Sequence, residues 1–131
     1  MFARISSTAP RRSRPATLAL EYGCRQLDDW VAANCRMMQQ RHDQFCSDFT
    51  AAQHSFELIA SGSFFAWIKH PWPDLNSRQA ARKLAEQANL ICLPGEAFGP
   101  GLKPYLRLAF GNIPQQQIPR AIERFLQVNQ R

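Results

Sequence analysis

Arg107 is the residue of this sequence whose type and position suggest chemistry most directly. It lies in the middle of Tyr-Leu-Arg-Leu-Ala-Phe, residues 105–110, where alternating apolar side chains predict a β-strand. Leu106 and Leu108 then share one face, and Arg107 lies on the other. A guanidinium fixed on a strand can form a two-pronged pair with a carboxylate. The residues alone leave a second interpretation open, in which Arg107 is a solvent-facing arginine on an edge strand, since most arginines are exposed.

Cys35, His42 and Cys46 are the residues that come nearest to a metal-binding pattern. They could share one side of a helix, and His42 and Cys46 are four residues apart. A structural zinc site needs four converging ligands, however, and His54 and His70 have no partner at motif spacing. A partly buried helix stripe explains the same residues, so we predict no metal site.

Nucleophilic and phosphate-binding motifs are also missing from the sequence. Cys92 lies in an apolar segment, where burial keeps a thiol protonated and inert. The glycine-rich segment 94–101 matches neither a dinucleotide-binding nor a P-loop spacing, and there is no Gly-x-Ser-x-Gly. We therefore predict no catalytic residue and no cofactor-binding residue within the chain.

The elements that must position Arg107 follow from periodicity and turn signals. Asn76 and Gln79 form a capping-box pattern, Asn89 suits a left-handed helix end, and Ser61-Gly62 predicts a turn between two strands. The helix after Asn76 is predicted to bury Ala80, Ala81, Leu84, Ala85 and Ala88. The predicted order is a long helix (25–52), strands 56–60 and 63–70, a helix (76–89), strands 90–93 and 105–110, and a last helix with Pro119 in its first turn. This predicts an α+β fold, a small mixed sheet covered by helices and preceded by a long helix.

Length and composition favour one small folded domain with a basic start. The chain has 131 residues, is 45% hydrophobic and contains no apolar run long enough to cross a bilayer. Its net charge is +6, of which residues 1–20 supply +4 through Arg4, Arg11, Arg12 and Arg14. We predict a basic, irregular segment at 1–24 and a folded domain at 25–131.

The basic segment has three interpretations that the sequence leaves open. It resembles an organellar transit peptide, it could be an arm that touches nucleic acid, or it is a loop that joins a preceding domain. Pro10 and Pro15 argue against a long amphipathic helix in it. The four cysteines form no Cys-x-x-Cys pair, which favours free thiols in a reducing compartment, so we predict a cytoplasmic protein.

Several segments in their order resemble a known family. They are Ser-Gly-Ser-Phe-Phe-Ala-Trp-Ile-Lys-His-Pro (61–71), the helix at 76–89, the segment Leu-Ile-Cys-Leu-Pro-Gly-Glu-Ala-Phe-Gly-Pro-Gly (90–101), the strand 105–110 and the closing helix 118–127. Together, over about residues 56–128, they resemble the C-terminal small domain of class I/II aminotransferases, the fold type I enzymes that use pyridoxal phosphate (PLP) and are typified by aspartate aminotransferase. The helix at 27–45 resembles the interdomain helix of that family.

The resemblance implies a role for Arg107, because the arginine of this strand binds the α-carboxylate of the substrate in the family. It also implies what the chain does not carry. The family's reaction moves an amino group between an amino acid and a 2-oxo acid, and it needs a lysine bonded to PLP in the large domain. Lys69, Lys83 and Lys103 do not lie in that lysine motif. We therefore expect PLP, a large domain and a homodimer partner in the complete enzyme, and no cofactor or transamination for this chain alone.

Two other functions compete with this interpretation. The chain could be a non-enzymatic interaction module derived from the same domain, which binds a protein partner through its exposed helix. It could also be a nucleic-acid binder with a basic tail, but the charge is confined to that tail and no recognition motif follows. We accordingly predict no nucleic-acid partner and no membrane partner.

Overall fold

The computed structural model describes residues 14–129. The chain divides into two compact units between Cys35 and Arg36, which we call the N-terminal unit and the C-terminal unit. Residues 1–13 of the basic segment, with Arg4, Arg11 and Arg12, lie outside the described residues, so the three interpretations of the segment stay predictions. Among residues 14–129, no helix is both long and apolar enough to cross a membrane.

The described part of the N-terminal unit, from Arg14 onward, is helical. Helix α1 runs over Arg14–Gln26 and helix α2 over Asp28–Ala51, so the division between the units falls inside α2. The prediction of irregular structure up to residue 24 is wrong from Arg14 onward. Pro15 is the second residue of α1, where a missing backbone N–H breaks no helical hydrogen bond. The long helix predicted at 25–52 is confirmed as α2, and the domain boundary at residue 24 stays a prediction.

A four-stranded antiparallel sheet forms the centre of the C-terminal unit. Its strands are β1 (Glu57–Gly62), β2 (Phe65–Lys69), β3 (Leu93–Pro94) and β4 (Tyr105–Ala109), in the spatial order β1-β2-β4-β3. Strand β2 pairs with β1 on one side and β4 on the other, and β3 completes the sheet beyond β4. The predicted α+β class is confirmed, whereas the sheet is antiparallel throughout rather than mixed.

The hairpin between β1 and β2 turns two residues later than predicted. Gly62 pairs with Phe65, so Ser63 and Phe64 form the turn, and Ser63 has a positive φ of 55°. Ser61 and Gly62 belong to β1 because strand pairing extends to the end of the hairpin. The pairing of β1 is irregular between Leu58 and Ala60, which leaves one extra residue on that strand.

Helix α3 (Ser77–Ala88) confirms its predicted ends. The Asn76 side chain accepts a hydrogen bond from the Gln79 backbone, the Gln79 side chain accepts one from the Asn76 backbone, and Asn89 is left-handed. Ala85 is exposed, however, so the buried face of α3 contains fewer residues than predicted.

The strand predicted at 90–93 is misplaced. Pairing begins only at Leu93, while Ile91 is 85% exposed.

One hydrophobic core joins the sheet to three helices. The core face of the sheet contributes Ala66, Ile68, Leu106 and Leu108, and α3 contributes Ala80, Leu84 and Ala88. Helix α4 (Ile118–Asn129) adds Ile118, Ile122, Phe125 and Val128, and α2 adds Phe45 and Phe49. Pro119 lies in the first turn of α4, as predicted. The opposite face of the sheet, which carries Arg107, lies outside this core.

Candidate functional site

Arg107 lies on an interior strand of the sheet. Its backbone pairs with Trp67 of β2 on one side and with Leu93 of β3 on the other. The neighbouring residues Leu106 and Leu108 are buried in the core, so the Arg107 side chain lies on the opposite face. The interpretation of Arg107 as an arginine on an edge strand is therefore wrong. Because hydrogen bonds hold this strand on both sides, the backbone position from which the Arg107 side chain extends is fixed.

Two aromatic rings hold the Arg107 guanidinium. Its Cζ atom lies 4.2 Å from the ring centroid of Phe65 and 4.6 Å from that of Phe98. A cation at this distance is attracted to the ring face. Trp67 extends the aromatic surface, because its ring meets Phe98 edge to face at 5.6 Å and stacks on Tyr105 at 5.8 Å. We call Phe65, Trp67, Phe98 and Tyr105 the aromatic frame of Arg107.

The turn after β3 places Phe98 in this frame. Gly95–Ala97 forms a single 3-10 turn, and the Phe98 backbone donates a hydrogen bond of 2.8 Å to the carbonyl of Gly95. A Cβ atom on Gly95 would collide with the carbonyl oxygen of Leu102 and come within 2.7 Å of that of Tyr105. Gly99 has a φ of 147°, which side chains rarely permit. This glycine-rich segment therefore brings its backbone close to β4 and leaves Phe98 over Arg107.

A buried serine on α3 fixes the same turn. Ser77 is fully buried, and its hydroxyl donates a hydrogen bond of 2.8 Å to the Glu96 carboxylate. The Glu96 backbone N–H in turn donates to the Ser77 oxygen at 3.1 Å. These two bonds tie the turn to the first residue of α3, and Glu96 is the residue at the centre of the 3-10 turn. The position of Phe98 therefore depends on packing between α3 and the sheet.

The Arg107 guanidinium has aromatic contacts and no acidic partner within the part of the chain that is described. The ion pairs formed there between side chains of opposite formal charge are Arg25 with Glu21 at 3.1 Å and Lys69 with Glu57 at 3.5 Å. A guanidinium that is held by ring faces keeps its in-plane N–H groups free to donate. This arrangement suits a planar carboxylate from a ligand.

The three lysines of the chain have different surroundings. Lys69 pairs with Glu57, and Lys83 lies with its Nζ 4.6 Å over the ring of Trp72. Lys103 is exposed in the turn before β4. Arg107 and its aromatic frame lie on a face of the sheet where they can meet the carboxylate of a bound substrate.

Cys92, His42 and Cys46, which the sequence analysis considers for chemistry, lie in different surroundings. Burial raises the pKa of the Cys92 thiol to about 12, which agrees with its predicted inertness. Within residues 14–129, no group of three or more His, Cys, Asp or Glu side chains is placed to hold a metal ion. His42 and Cys46 do meet, with Nε2 and Sγ 3.6 Å apart, and their third neighbour is Ser61 rather than Cys35.

Sequence reasoning missed the surroundings of Arg107. Strand alternation places Phe65 and Trp67 on one face of β2. Together with the pairing of β2 and β4, this alternation is enough to predict that both rings lie on the same face as Arg107. The sequence contains no comparable signal for the position of Phe98 or for the hydrogen bonds between Ser77 and Glu96. They depend on how the turn at residues 94–101 folds against α3.

Comparison with solved structures defines the class of this fold. Alanine aminotransferase from Pyrococcus furiosus superposes with a TM-score of 0.76 at 20% identity, over 89% of this chain and 30% of that one. The α-aminoadipate aminotransferase LysN from Thermus thermophilus, solved with N-(5'-phosphopyridoxyl)-L-leucine, gives 0.70 at 17% identity over 86% and 30%. An aminotransferase from Staphylococcus aureus gives 0.68 at 24% identity over 79% and 27%. The fold is thus a part of the aminotransferase fold.

The family follows from the sequence match. The model of the family "Aminotransferase class I and II" matches residues 7–125, which is most of the chain. The chain belongs to the class I and II aminotransferase family, as its resemblance predicts. No curated protein matches it in a sequence search. The chain spans less than a third of the length of the solved aminotransferases named above.

Proposed function

We propose that this chain is the substrate-carboxylate-binding part of a class I/II aminotransferase, in which Arg107 binds the α-carboxylate of an amino acid or 2-oxo acid. The observation that supports the proposal is the state of Arg107, an arginine on an interior strand, held between Phe65 and Phe98 and free of an acidic partner within residues 14–129. The resemblance of the strand 105–110 to the family's arginine-bearing strand points to the same residue.

The aromatic frame gives Arg107 two properties that a carboxylate anchor needs. The ring faces restrict the guanidinium to few orientations, so less side-chain entropy is lost when a ligand binds. The rings also displace water from around the cation, which strengthens its attraction to an anion. Arg107 then orients the ligand by two parallel N–H···O bonds, and its position on β4 sets the direction of approach.

The proposal assigns the remaining chemistry to parts of an enzyme that this chain does not carry. PLP supplies the electron sink of transamination when it is bound, and the lysine that holds it belongs to a large domain. We propose that the complete enzyme contains such a domain and a second subunit, and that the chain alone neither holds PLP nor transaminates. The short span of the chain on its solved relatives supports this division. We further propose a reducing, cytoplasmic setting, which the four free thiols support.

Carboxylate binding tests the proposal directly. The full chain, labelled with ¹⁵N, is titrated with pyruvate while the Nε–Hε signal of Arg107 is followed by NMR. We expect this signal to shift in a saturable way, and acetone, which lacks the carboxylate, to leave it in place. Arg107→Gln lacks this Nε–Hε group, so binding to it is followed by the backbone amide signals of β4, which shift in the parent chain. We expect pyruvate binding to weaken more than tenfold in this variant, since a bidentate charged contact contributes about 2 kcal/mol.

Arg82→Gln is the matched control, because Arg82 is an exposed arginine of α3. Pyruvate binding equal to that of the parent chain is expected for this variant. Equally tight binding of pyruvate by Arg107→Gln, or the absence of any saturable shift in the parent chain, would refute the role of Arg107. Turnover of an amino acid and a 2-oxo acid by the purified chain with added PLP would refute its proposed inactivity.

A second candidate function is favoured by the surface of the N-terminal unit. Helix α1 buries none of its residues, and Trp30 and Val31 of α2 are 62% and 49% exposed. Apolar side chains exposed on one unit suit a protein partner. The interaction-module alternative therefore stays a proposal, with a related full-length subunit as the partner that fits it best.

A further inference from the structure

Cys46, His42 and Ser61 meet at a surface of the C-terminal unit that the proposed carboxylate site does not use. His42 and Cys46 are one turn apart on α2, and Ser61 lies near the end of β1. The Cys46 Sγ atom is 3.6 Å from His42 Nε2 and 3.3 Å from Ser61 Oγ, while Ser61 Oγ is 2.9 Å from His42 Nε2. A thiol, a hydroxyl and an imidazole nitrogen thus form one hydrogen-bonded cluster.

Asp43 sets the proton arrangement of the imidazole. Its carboxylate lies 3.2 Å from His42 Nδ1 and also accepts a hydrogen bond of 2.7 Å from Gln39. Hydrogen bonds from His42 and Gln39 keep the pKa of Asp43 below its usual value of 3.8. A carboxylate at Nδ1 holds the proton on that nitrogen, so Nε2 faces Cys46 and Ser61 with its lone pair. Phe110 lies 5.9 Å from the His42 ring and limits its movement on another side.

The cluster gives Cys46 an environment different from those of the other three thiols. Cys92 is buried, with 9% of its surface exposed, whereas Cys24 and Cys35 are exposed. Within residues 14–129, neither Cys24 nor Cys35 has an imidazole within hydrogen-bond distance. Cys46 is half-buried and packs against the core, while Ser61 beside its Sγ is exposed, so the cluster lies at the surface of the unit. A partly exposed thiol beside a basic nitrogen is the arrangement that makes cysteines nucleophilic.

We propose that Cys46 is a thiol-exchange site, with His42 as its base and Asp43 as the positioning residue, and that its reaction partner is a low-molecular-weight disulfide. His42 Nε2 takes the thiol proton, directly or through the Ser61 hydroxyl. The Cys46 sulfur attacks one sulfur of the disulfide, so a new S–S bond forms as the old one breaks. Cys46 is oxidised, and the departing half of the disulfide is reduced and leaves as a thiol after taking the proton from His42.

The reactivity of all four cysteines can be compared in one tube. The folded full chain is exposed to glutathione disulfide at pH 6.5, samples are quenched with acid, and tryptic peptides are quantified by mass spectrometry. Each cysteine falls in its own tryptic peptide, because an arginine or lysine lies between every two of them. We expect Cys46 to form the mixed disulfide about tenfold faster than Cys24 or Cys35, and Cys92 to stay unmodified.

Variants separate assistance by His42 from simple exposure. His42→Gln and Asp43→Asn should each lower the rate at Cys46 toward that of Cys24 and Cys35, without changing the rates at those two thiols. Asp48→Asn is the matched control, because Asp48 lies on the same helix and binds Gln44 instead of His42. It should leave the rate at Cys46 unchanged. Cys92 reports folding in every sample, since it becomes reactive only if the core opens.

Two results would overturn the proposal. One is a rate at Cys46 no higher than those at Cys24 and Cys35 while Cys92 remains protected. The other is a rate at Cys46 that Asp43→Asn and His42→Gln leave unchanged. Neither result bears on carboxylate binding by Arg107, because the thiol cluster contains no residue of the aromatic frame.

Discussion

His54 lies in a cage of three aromatic rings. The ring centroids of Phe49, Phe56 and Phe125 are 4.2, 5.8 and 5.9 Å from that of His54. Both ring nitrogens are buried, and neither makes a hydrogen bond of normal geometry with the rest of residues 14–129. Burial lowers the pKa of His54 from its usual value of 6.5, and nearby backbone groups offset this only in part. The polar imidazole ring of His54 thus occupies an apolar site, which an apolar ring would suit better.

Replacement of His54 by phenylalanine should therefore stabilise the protein. Removal of two buried nitrogens that make no hydrogen bond of normal geometry is expected to raise the free energy of unfolding by about 1 kcal/mol at pH 7. His70→Phe should have the opposite effect, because His70 Nε2 donates a hydrogen bond of 3.1 Å to the Lys103 carbonyl. Urea denaturation of the two variants and the parent chain measures both changes, and a loss of stability in His54→Phe would contradict this account.

The same variants should change how stability depends on pH. Burial lowers the pKa of both His54 and His70 in the folded chain, so below pH 6.5 the unfolded chain binds more protons. The free energy of unfolding of the parent chain should then fall as the pH drops from 7 through 6.5 and below. His54→Phe removes one of the two histidines, so its stability should fall less over this range.

At the scale of single residues, the sequence predicted the backbone position of Arg107 but not its surroundings. Alternation in residues 105–110 was enough to separate Arg107 from Leu106 and Leu108. The contact with Phe98 arises from a turn whose path depends on tertiary packing. The role of Ser77 was equally hidden, since a serine at the start of a helix is usually explained by capping alone.

Among the elements, the turn at Gly95–Ala97 is the most sensitive to a single added methyl group. Gly95→Ala places a Cβ against the backbone carbonyls of Leu102 and Tyr105, which cannot move without disturbing β4. We expect a loss of about 2 kcal/mol in the free energy of unfolding. Pyruvate binding should also weaken, because the turn positions Phe98 over Arg107.

Gly62→Ala is the matched control for that substitution. A Cβ on Gly62 meets no atom within 4 Å, so the free energy of unfolding should change by less than about 1 kcal/mol. Urea denaturation and the pyruvate titration measure both variants. If Gly95→Ala and Gly62→Ala had the same free energy of unfolding, the backbone around Gly95 would be able to make room for the added Cβ. That result would contradict the prediction.

Elements with local signals were predicted well, and those set by pairing were not. The capping box of α3 and the left-handed Asn89 depend on neighbouring residues, so the sequence contained them. The sequence does not predict α1, because Pro15 would break a helix at most positions, whereas in the first turn of α1 it costs no hydrogen bond. The hairpin turn was placed too early because Ser61-Gly62 is the stronger local turn signal, whereas strand register puts the turn at Ser63.

At the scale of the whole molecule, exposed apolar surface predicts self-association. Leu18, Leu20 and Tyr22 of α1 and Trp30 and Val31 of α2 are all between 49% and 63% exposed. We expect the purified chain to form dimers or larger species at micromolar concentration through the N-terminal unit. Sedimentation equilibrium measures this. A monodisperse monomer that melts cooperatively would contradict the expectation.

A pair of substitutions locates the association surface. Trp30→Glu should shift the equilibrium toward monomer, because it places a charge in the apolar surface of the N-terminal unit. Ile91→Glu introduces the same residue at an isolated position of the C-terminal unit that is 85% exposed. It should leave the association unchanged. An equal effect of both substitutions would show that association does not depend on the N-terminal unit.

The fold class was predictable at this scale, whereas the direction of strand pairing was not. The order of helices and strands was sufficient for an α+β assignment, and the order of motifs was sufficient for the family. Pairing direction depends on connections such as the one from α3 to β3. There the local apolar run at residues 90–93 predicted a strand, but only Leu93 takes part in one.

The two margins of the sheet differ in how readily they would accept another strand. At one margin, β3 has only two residues, and one of them is Pro94, which has no backbone N–H to donate. At the other margin, the irregular pairing between Leu58 and Ala60 twists β1 and interrupts its row of free backbone groups. Both margins therefore disfavour strand-to-strand aggregation, so a concentrated solution of this chain should associate through helices without forming fibrils.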